Sequence, residues 1–521
     1  MMETNWMNNA AGRRVPTHVN NEPVIPFQGV GKYHAQGKKH APSIPSCIDF
    51  PADGNKVIGS LKEALQKAGL KDGMTISTHH HFRDGDLVSN QIFDIAHELD
   101  IKDLRWFPSA SFPCNNSLIK YLEDGTIHHI EGSLNGPLGR FASEGKMRGT
   151  AVLRSHGGRV QAIQDGEVKI DIAVIAAPTC DCFGNANALT GPSACGVLGF
   201  AEMDVRYAEK VIMVTDNLVG FPCLPIQLEG NYVDYVVVVD KIGIPEKIVS
   251  GTTQITRSPD RLKIAELTAR FCLETGILHD GCIIQSGAGS ISLAIGVFIH
   301  QILKEKKWKA SVSFGGSTKY NVQMLKEGTV EKILEGQLFD TVAIGSLREN
   351  PNHQSYSVFN AYNYHSKGNL TSMIDLVTLG ATEIDVNFNG NVVTHSDGYL
   401  LHGIGGWQNC LFAKNVILTV PLFRDRIPVI VDEVATLCGP GELIDVIVTE
   451  RGIAINSLRT DLIEKAKAAS LPVKSIYELK EEAERICGKP EKPQFTDKLI
   501  GVVKWVDGTV IDAIRQVKTS E

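Results

Sequence analysis

The stretch RLKIAELTARFCLETGILHDGCIIQSG, Arg261–Gly287, decides the fold, because the chain carries an earlier version of it. Residues 60–80, SLKEALQKAGLKDGMTISTHH, show the same succession of signals. Apolar positions recur at helical spacing, a glycine stops the helix, an Asp-Gly turn follows, and a short strand-like run begins. Three more pairs come in the same order. YLEDGTIHHI (Tyr121–Ile130) returns as MLKEGTVEKI (Met324–Ile333), VKIDIAVIAAPTCDCFGNAN (Val168–Asn187) as SMIDLVTLGATEIDVNFNGNV (Ser372–Val392), and AEKVIMVT (Ala208–Thr215) as AKNVILTV (Ala413–Val420). So long a period marks duplication of a domain, since solenoid repeats run about 20–50 residues.

Runs such as KIDIAVIAAP, KVIMVTD and DYVVVVDKI are apolar on both faces and alternate with helical patterns. Parallel strands covered by helices read this way. The expected fold class is α/β, with two tandem, structurally similar open-sheet domains at residues 51–255 and 256–521. Their boundary falls in the polar SGTTQITRSPDR, Ser250–Arg261. Residues 1–50 have no periodic apolar pattern and read as an N-terminal extension, an arm that lies on another surface or stays mobile. The cleft between two such domains is the default ligand site.

The 521 residues suffice for two cores, and 43% apolar with 21% charged residues is ordinary for a globular protein. The net charge of −7 and the absence of a basic stripe beyond GKKH and KEKKWK argue against nucleic acid as a partner. The 11 cysteines are scattered and odd in number, with no C-x-x-C pair, which suits reduced thiols in a cytoplasmic protein. No secretory signal is visible at the start, and no run approaches the roughly 20 apolar residues of a membrane span.

The next feature is LLHGIGGWQN, Leu400–Asn409. A dinucleotide loop needs G-x-G-x-x-G between a first strand and a helix, with an acid about 20 residues on. Here the spacing is G-x-G-G, late in the second half. SGAGSISLAIG, Ser286–Gly296, sits at a strand-to-helix junction but also lacks the third glycine, and no Gly-Lys-Ser/Thr sequence supplies a phosphate loop. On spacing alone, GIGG is a tight turn.

Context changes that reading. Two related α/β halves with a G-x-G-G-aromatic loop late in the second resemble the CoA-transferases, as does the D-x-x-G-N-x-N turn DCFGNAN at Asp181–Asn187. GMTISTHHHFRDGD, LRSHGGRVQAIQDGEVKIDIA, SLRENPNHQS and the closing VDGTVIDAIRQVK narrow the resemblance to the α subunits of citrate lyase, which are citrate CoA-transferases. The resemblance runs from about Lys56 onward. It implies that the backbone of Gly403, Gly405 and Gly406 faces a thioester carbonyl, as an oxyanion site would. It also implies a lyase β subunit and an acyl carrier γ subunit as partners, in a larger complex containing several copies of this chain. The CoA or dephospho-CoA-type group rides on the carrier, so this chain itself binds no cofactor tightly.

One departure matters. Many transferases of this type carry a nucleophilic glutamate at the strand end that reads SVSFGGSTKY here. No carboxylate stands there, and Glu327 and Glu331 are the nearest glutamates along the chain. The implied scheme is therefore a ternary complex in which the carboxylate substrate is its own nucleophile. Arginine forks suit carboxylates, and Arg83 and Arg348 follow apolar strands at a cleft edge. His81, His156, Asn352 and His353 are further substrate-binding candidates, and Glu349 is the candidate acid, base or orienter. His79, His80 and His81 cannot all face one ion, because side chains alternate along extended chain, so no metal is expected. Trp407 reads as packing beneath the loop, and Cys180 and Cys182 as structural. The alternatives are another acyl-CoA transferase or thioester hydrolase on this fold, or a non-catalytic module that binds small anions.

Overall fold

A computed structural model describes residues 5–34, 51–248, 254–287 and 289–518. Two large, mostly parallel sheets dominate it. In the first, the central strands lie in the spatial order Ala151–Leu153, Ile127–Gly132, Leu104–Pro108, Thr75–Thr78, Ile172–Ala176, Lys210–Thr215 and Tyr235–Val238. The second repeats that order with His353–Ser355, Ile333–Leu338, Val312–Ser317, Ile283–Ser286, Leu376–Leu379, Val416–Thr419 and Val446–Thr449. Each sequence echo thus lands on the equivalent strand. A small three-stranded sheet accompanies each half, and its turn is built alike. Asp181 Oδ1 accepts the N–H groups of Phe183, Gly184 and Asn185, and Asp385 Oδ1 those of Asn387 and Asn389.

The helices begin and end where the local chemistry says. Ser60 caps Leu61–Lys67 by accepting the Glu63 N–H at 3.1 Å, and Pro259–Thr275 ends on Gly276 in the left-handed region. One apolar core runs through both halves, with Leu338, Leu347 and Trp407 in the same cluster as Phe107, Leu134 and Leu198. A second core, between the helices Pro259–Thr275 and Ser290–Lys306 and their sheet, belongs to the second half alone.

The division at residue 256 needs one amendment. The closing hairpin, Phe495–Lys504 and Val510–Val517, crosses back and extends the first sheet, pairing Gly501, Val502 and Val503 with Ala151, Val152 and Leu153. It covers an edge that would otherwise present unpaired backbone groups. The N-terminal arm lies on this hairpin. Asn9 Nδ2 donates to the carbonyls of Val510 and Ile511, and Phe27 meets Trp505 edge to face at 5.9 Å. The remainder of the 1–50 extension, and residues 250–253 of the expected boundary, lie outside the described residues. Among the described residues no helix is long and apolar enough to cross a membrane.

Candidate active site

Where the carboxyl ends of the two sheets face each other they enclose a cavity of about 350 Å³. The glycine loop forms one wall and is fastened to the first half. The Gly403 N–H donates to Asn135 Oδ1 at 3.3 Å, and the Gly405 carbonyl accepts the His156 N–H at 2.8 Å. Gly403 has to be glycine, since a Cβ there would stand 2.0 Å from Ser133 Cβ. Gly405 has φ +62°, a conformation that costs other residues roughly 1–2 kcal/mol. The N–H groups of Gly405 and Gly406 have no acceptor among the described residues, and both residues line the cavity. Gly403 differs, because its N–H is already engaged. Trp407, expected to pack beneath the loop, is buried but also lines the cavity, and it donates from Nε1 to the Gly380 carbonyl at 2.8 Å.

The opposite wall comes from the first half. Ser155 caps the helix His156–Gln164, which delivers His156 to the cavity. His80 stacks on His156 at 5.5 Å and shares a hydrogen bond of 2.6 Å between Nδ1 and Ser109 Oγ. Burial, with help from neighbouring cationic and imidazole groups, lowers both ring pKa values, that of His156 to about 4. Both imidazoles are therefore neutral near pH 7.

Beneath them lies a buried ionic cluster. Arg159 forms a two-pronged pair with Asp204, both arms at 2.7 Å, and donates to Ser77 Oγ at 2.6 Å, while His79 Nε2 meets Asp204 at 2.9 Å. This cluster fixes the His79–His81 segment. Arg83 sits in the left-handed region at φ +52° and lines the cavity beside Phe112 and Phe339. Arg154 also lines it, with its charge balanced by Glu131 and Glu167 at 3.2 and 3.0 Å.

The site thus brings together Arg83, His156, Gly403, Gly405 and Gly406. The other candidates lie elsewhere. His81 turns away and donates from Nε2 to the Ala176 carbonyl at 2.7 Å, while His80, one residue earlier, faces the cavity. Both lie just past the end of the strand Thr75–Thr78 with side chains pointing different ways, and the His79–Asp204 pairing tells which faces inward. Arg348 and Glu349 are exposed at the end of the helix Thr341–Glu349 and pair with each other at 2.7 Å; Asn352 is exposed beside them. His353 is buried at the start of the edge strand His353–Ser355, with Nε2 3.1 Å from Glu335 and Nδ1 2.9 Å from Ser346 Oγ. SLRENPNHQS lies at the far edge of the second sheet, so none of its four candidates reaches the cavity.

Glu335 is a residue the sequence reading passed over. It accepts a hydrogen bond from Ser317 Oγ and is fully buried, and burial raises its pKa. It does not line the cavity, whose described lining contains no Asp or Glu. Glu327 is on the outside, paired with Lys304 at 2.7 Å. Cys410 lines the cavity, but burial pushes its thiol up to about 12, which leaves it protonated. Among the described residues no cluster of three or more His, Cys, Asp or Glu side chains is arranged to hold a metal.

Comparison with known proteins identifies the family. The profile of the family "Citrate lyase, alpha subunit (CitF)" matches residues 54–517. The chain is 39% identical over 495 residues to the citrate lyase alpha chain of Haemophilus influenzae, covering 94% of this chain and 99% of that one. Against the citrate lyase alpha chain of Klebsiella pneumoniae it is 40% identical over 468 residues, 89% of this chain and 92% of that one. A crystal structure from Streptococcus mutans, assigned as the α subunit of citrate lyase and in complex with citrate, superposes with a TM-score of 0.93. It is 38% identical and covers 98% of this chain and 100% of that one. The α subunit of a malonate decarboxylase from Acinetobacter baumannii, 16% identical, shares the fold at a TM-score of 0.61 over 83% of this chain and 88% of that one. The chain therefore belongs to the citrate lyase α-subunit family.

Proposed function

We propose that this chain is a citrate CoA-transferase, replacing the acetyl group of a thioester by a citryl group and releasing acetate. The observation that carries this is a cavity between the halves with a cationic Arg83 and two free N–H groups, and no described carboxylate in its lining. A citrate carboxylate oxygen attacks the acetyl carbonyl. The C–S bond breaks, and acetyl-citryl anhydride and thiolate result. The thiolate then attacks the citryl carbonyl, the anhydride C–O bond breaks, and acetate leaves. The Gly405 and Gly406 N–H groups stabilise the oxyanion of each addition, where one lost donor typically costs about 10²–10³ in rate. Arg83 holds a carboxylate of the incoming acid. The neutral His80–His156 pair adds no charge to the site, and Arg154, also in the lining, is balanced by Glu131 and Glu167. The thioester is carried on a CoA or dephospho-CoA-type arm of an acyl carrier subunit, and a lyase subunit consumes the product.

The test is exchange by the purified full chain, between acetyl-CoA or acetyl-carrier and citrate. The expected result is one citryl-thioester per acetate released, sequential kinetics, and no protein-bound acyl group with acetyl-CoA alone. No exchange with any di- or tricarboxylate would overturn the proposal. The Ser109–His80 contact favours one rival, a thioester hydrolase, but among the described residues no carboxylate orients that imidazole. Free thiol without citryl-thioester would establish the rival, and citrate binding without turnover would point to an anion-binding module.

A further inference from the structure

The strand end that lacks a carboxylate is occupied by an aromatic ring. In Val312–Ser317 the register slips, so that Gly315 pairs with Glu335 and Gly316 with Gln337. The Phe339 ring lies directly on Gly316, where a Cβ would stand 2.1 Å from the ring. The same ring is 5.0 Å from the guanidinium carbon of Arg83. Phe112, from the first half, stands 5.3 Å from that carbon. All three side chains line the cavity.

Guanidinium is flat. The two rings stand 5.0 and 5.3 Å from its carbon, and the two-pronged bond to a carboxylate is made by its N–H groups. A long, flexible side chain held against two rings loses less freedom when a carboxylate arrives, which strengthens binding. We infer that Phe339 is a positioning residue for the incoming carboxylate substrate: seated on Gly316, it holds Arg83 together with Phe112 so that the guanidinium is directed into the cavity the carboxylate enters. The two rings come from different halves, so a complete anion site exists only when the halves are seated against each other. The paired glycines of SFGGST are then explained by the ring they admit as much as by the carboxylate they lack. The inference rests on the citrate reading above.

Calorimetric titration of citrate into the full chain tests it, alongside the exchange assay. Phe339→Leu is expected to raise the citrate Kd about tenfold and KM with it, with kcat changed much less. Phe339→Tyr, which keeps the ring, is expected to bind as the parent does. Gly316→Ala displaces the ring and is expected to copy Phe339→Leu. The inference is overturned if folded Phe339→Leu binds citrate within about twofold of the parent, or if the parent binds no citrate. If Phe339→Leu does not fold, Phe112→Leu decides by the same criterion. A parent that binds citrate in a Phe339-dependent way yet exchanges no acyl group would refute the transferase reading and leave this inference standing.

Discussion

Gly403→Ala puts the fastening of the glycine loop to its most direct test. The new Cβ would stand 2.0 Å from Ser133 Cβ and 2.9 Å from Ser133 Cα. Carbon atoms in contact sit about 3.5–4.0 Å apart, so the loop must retreat from the first half by roughly 1.5–2 Å. Retreat stretches the bonds from Gly403 N–H to Asn135 and from His156 N–H to the Gly405 carbonyl. Misplacement by about 1 Å can cost about 10²-fold in rate, so kcat/KM should fall at least that far, about 2.7 kcal/mol of transition-state stabilisation. Overpacking of this kind costs roughly 1–3 kcal/mol of stability, so the variant should fold and melt only a few degrees early. Acetyl-thioester–citrate exchange and thermal melting measure the two effects. Ser133→Gly removes the atom that clashes most but leaves the 2.9 Å approach to Cα. The double variant should therefore recover about tenfold of the lost activity, not all of it. Gly403→Ala within about threefold of the parent, or no recovery on adding Ser133→Gly, would refute the claim that this contact sets the loop.

Arg348→Ala and Glu349→Ala remove one exposed pair far from the cavity, so exchange is expected to stay within about twofold of the parent, and a loss of tenfold or more in kcat/KM would bring that helix back into the site. Asp204→Ala strands the buried Arg159 cation and should cost about 3–5 kcal/mol, read as a lowered melting temperature; an unchanged melt contradicts it. The pH dependence of stability follows from His156, whose ring is held down at about 4 in the fold against an ordinary value of about 6.5. Between those values the unfolded chain binds the proton and the native chain does not, so this group's contribution falls as pH drops from about 6.5 to about 4 and is constant above. His156→Gln should flatten that part of the profile in urea denaturation at about pH 7 and about pH 5, and parallel profiles for the two proteins would exclude it.

The repeat of the first half by the second was readable from the chain because each signal is local. Helical spacing in SLKEALQKAG, the stop at glycine and the apolar run after Asp-Gly lie within some twenty residues, and the copy from Arg261 onward repeats them. The glycine loop and the missing carboxylate at SFGGST were visible for the same reason. What the chain does not encode locally is which face of an element meets the other half. His80 and His81 are neighbours just past the strand end at Thr78, and packing of Asp204 against His79 and Arg159 settles which enters the cavity. SLRENPNHQS looks like a site by composition, yet its place at the sheet edge turns Arg348 and Glu349 to solvent and His353 toward Glu335. The closing hairpin joins the first sheet across more than three hundred residues, since an open edge strand is satisfied by whatever partner folding brings to it. Phe339 reaches Arg83 across the interface in the same way, a contact that depends on the seating of two bodies and leaves no periodic mark in either.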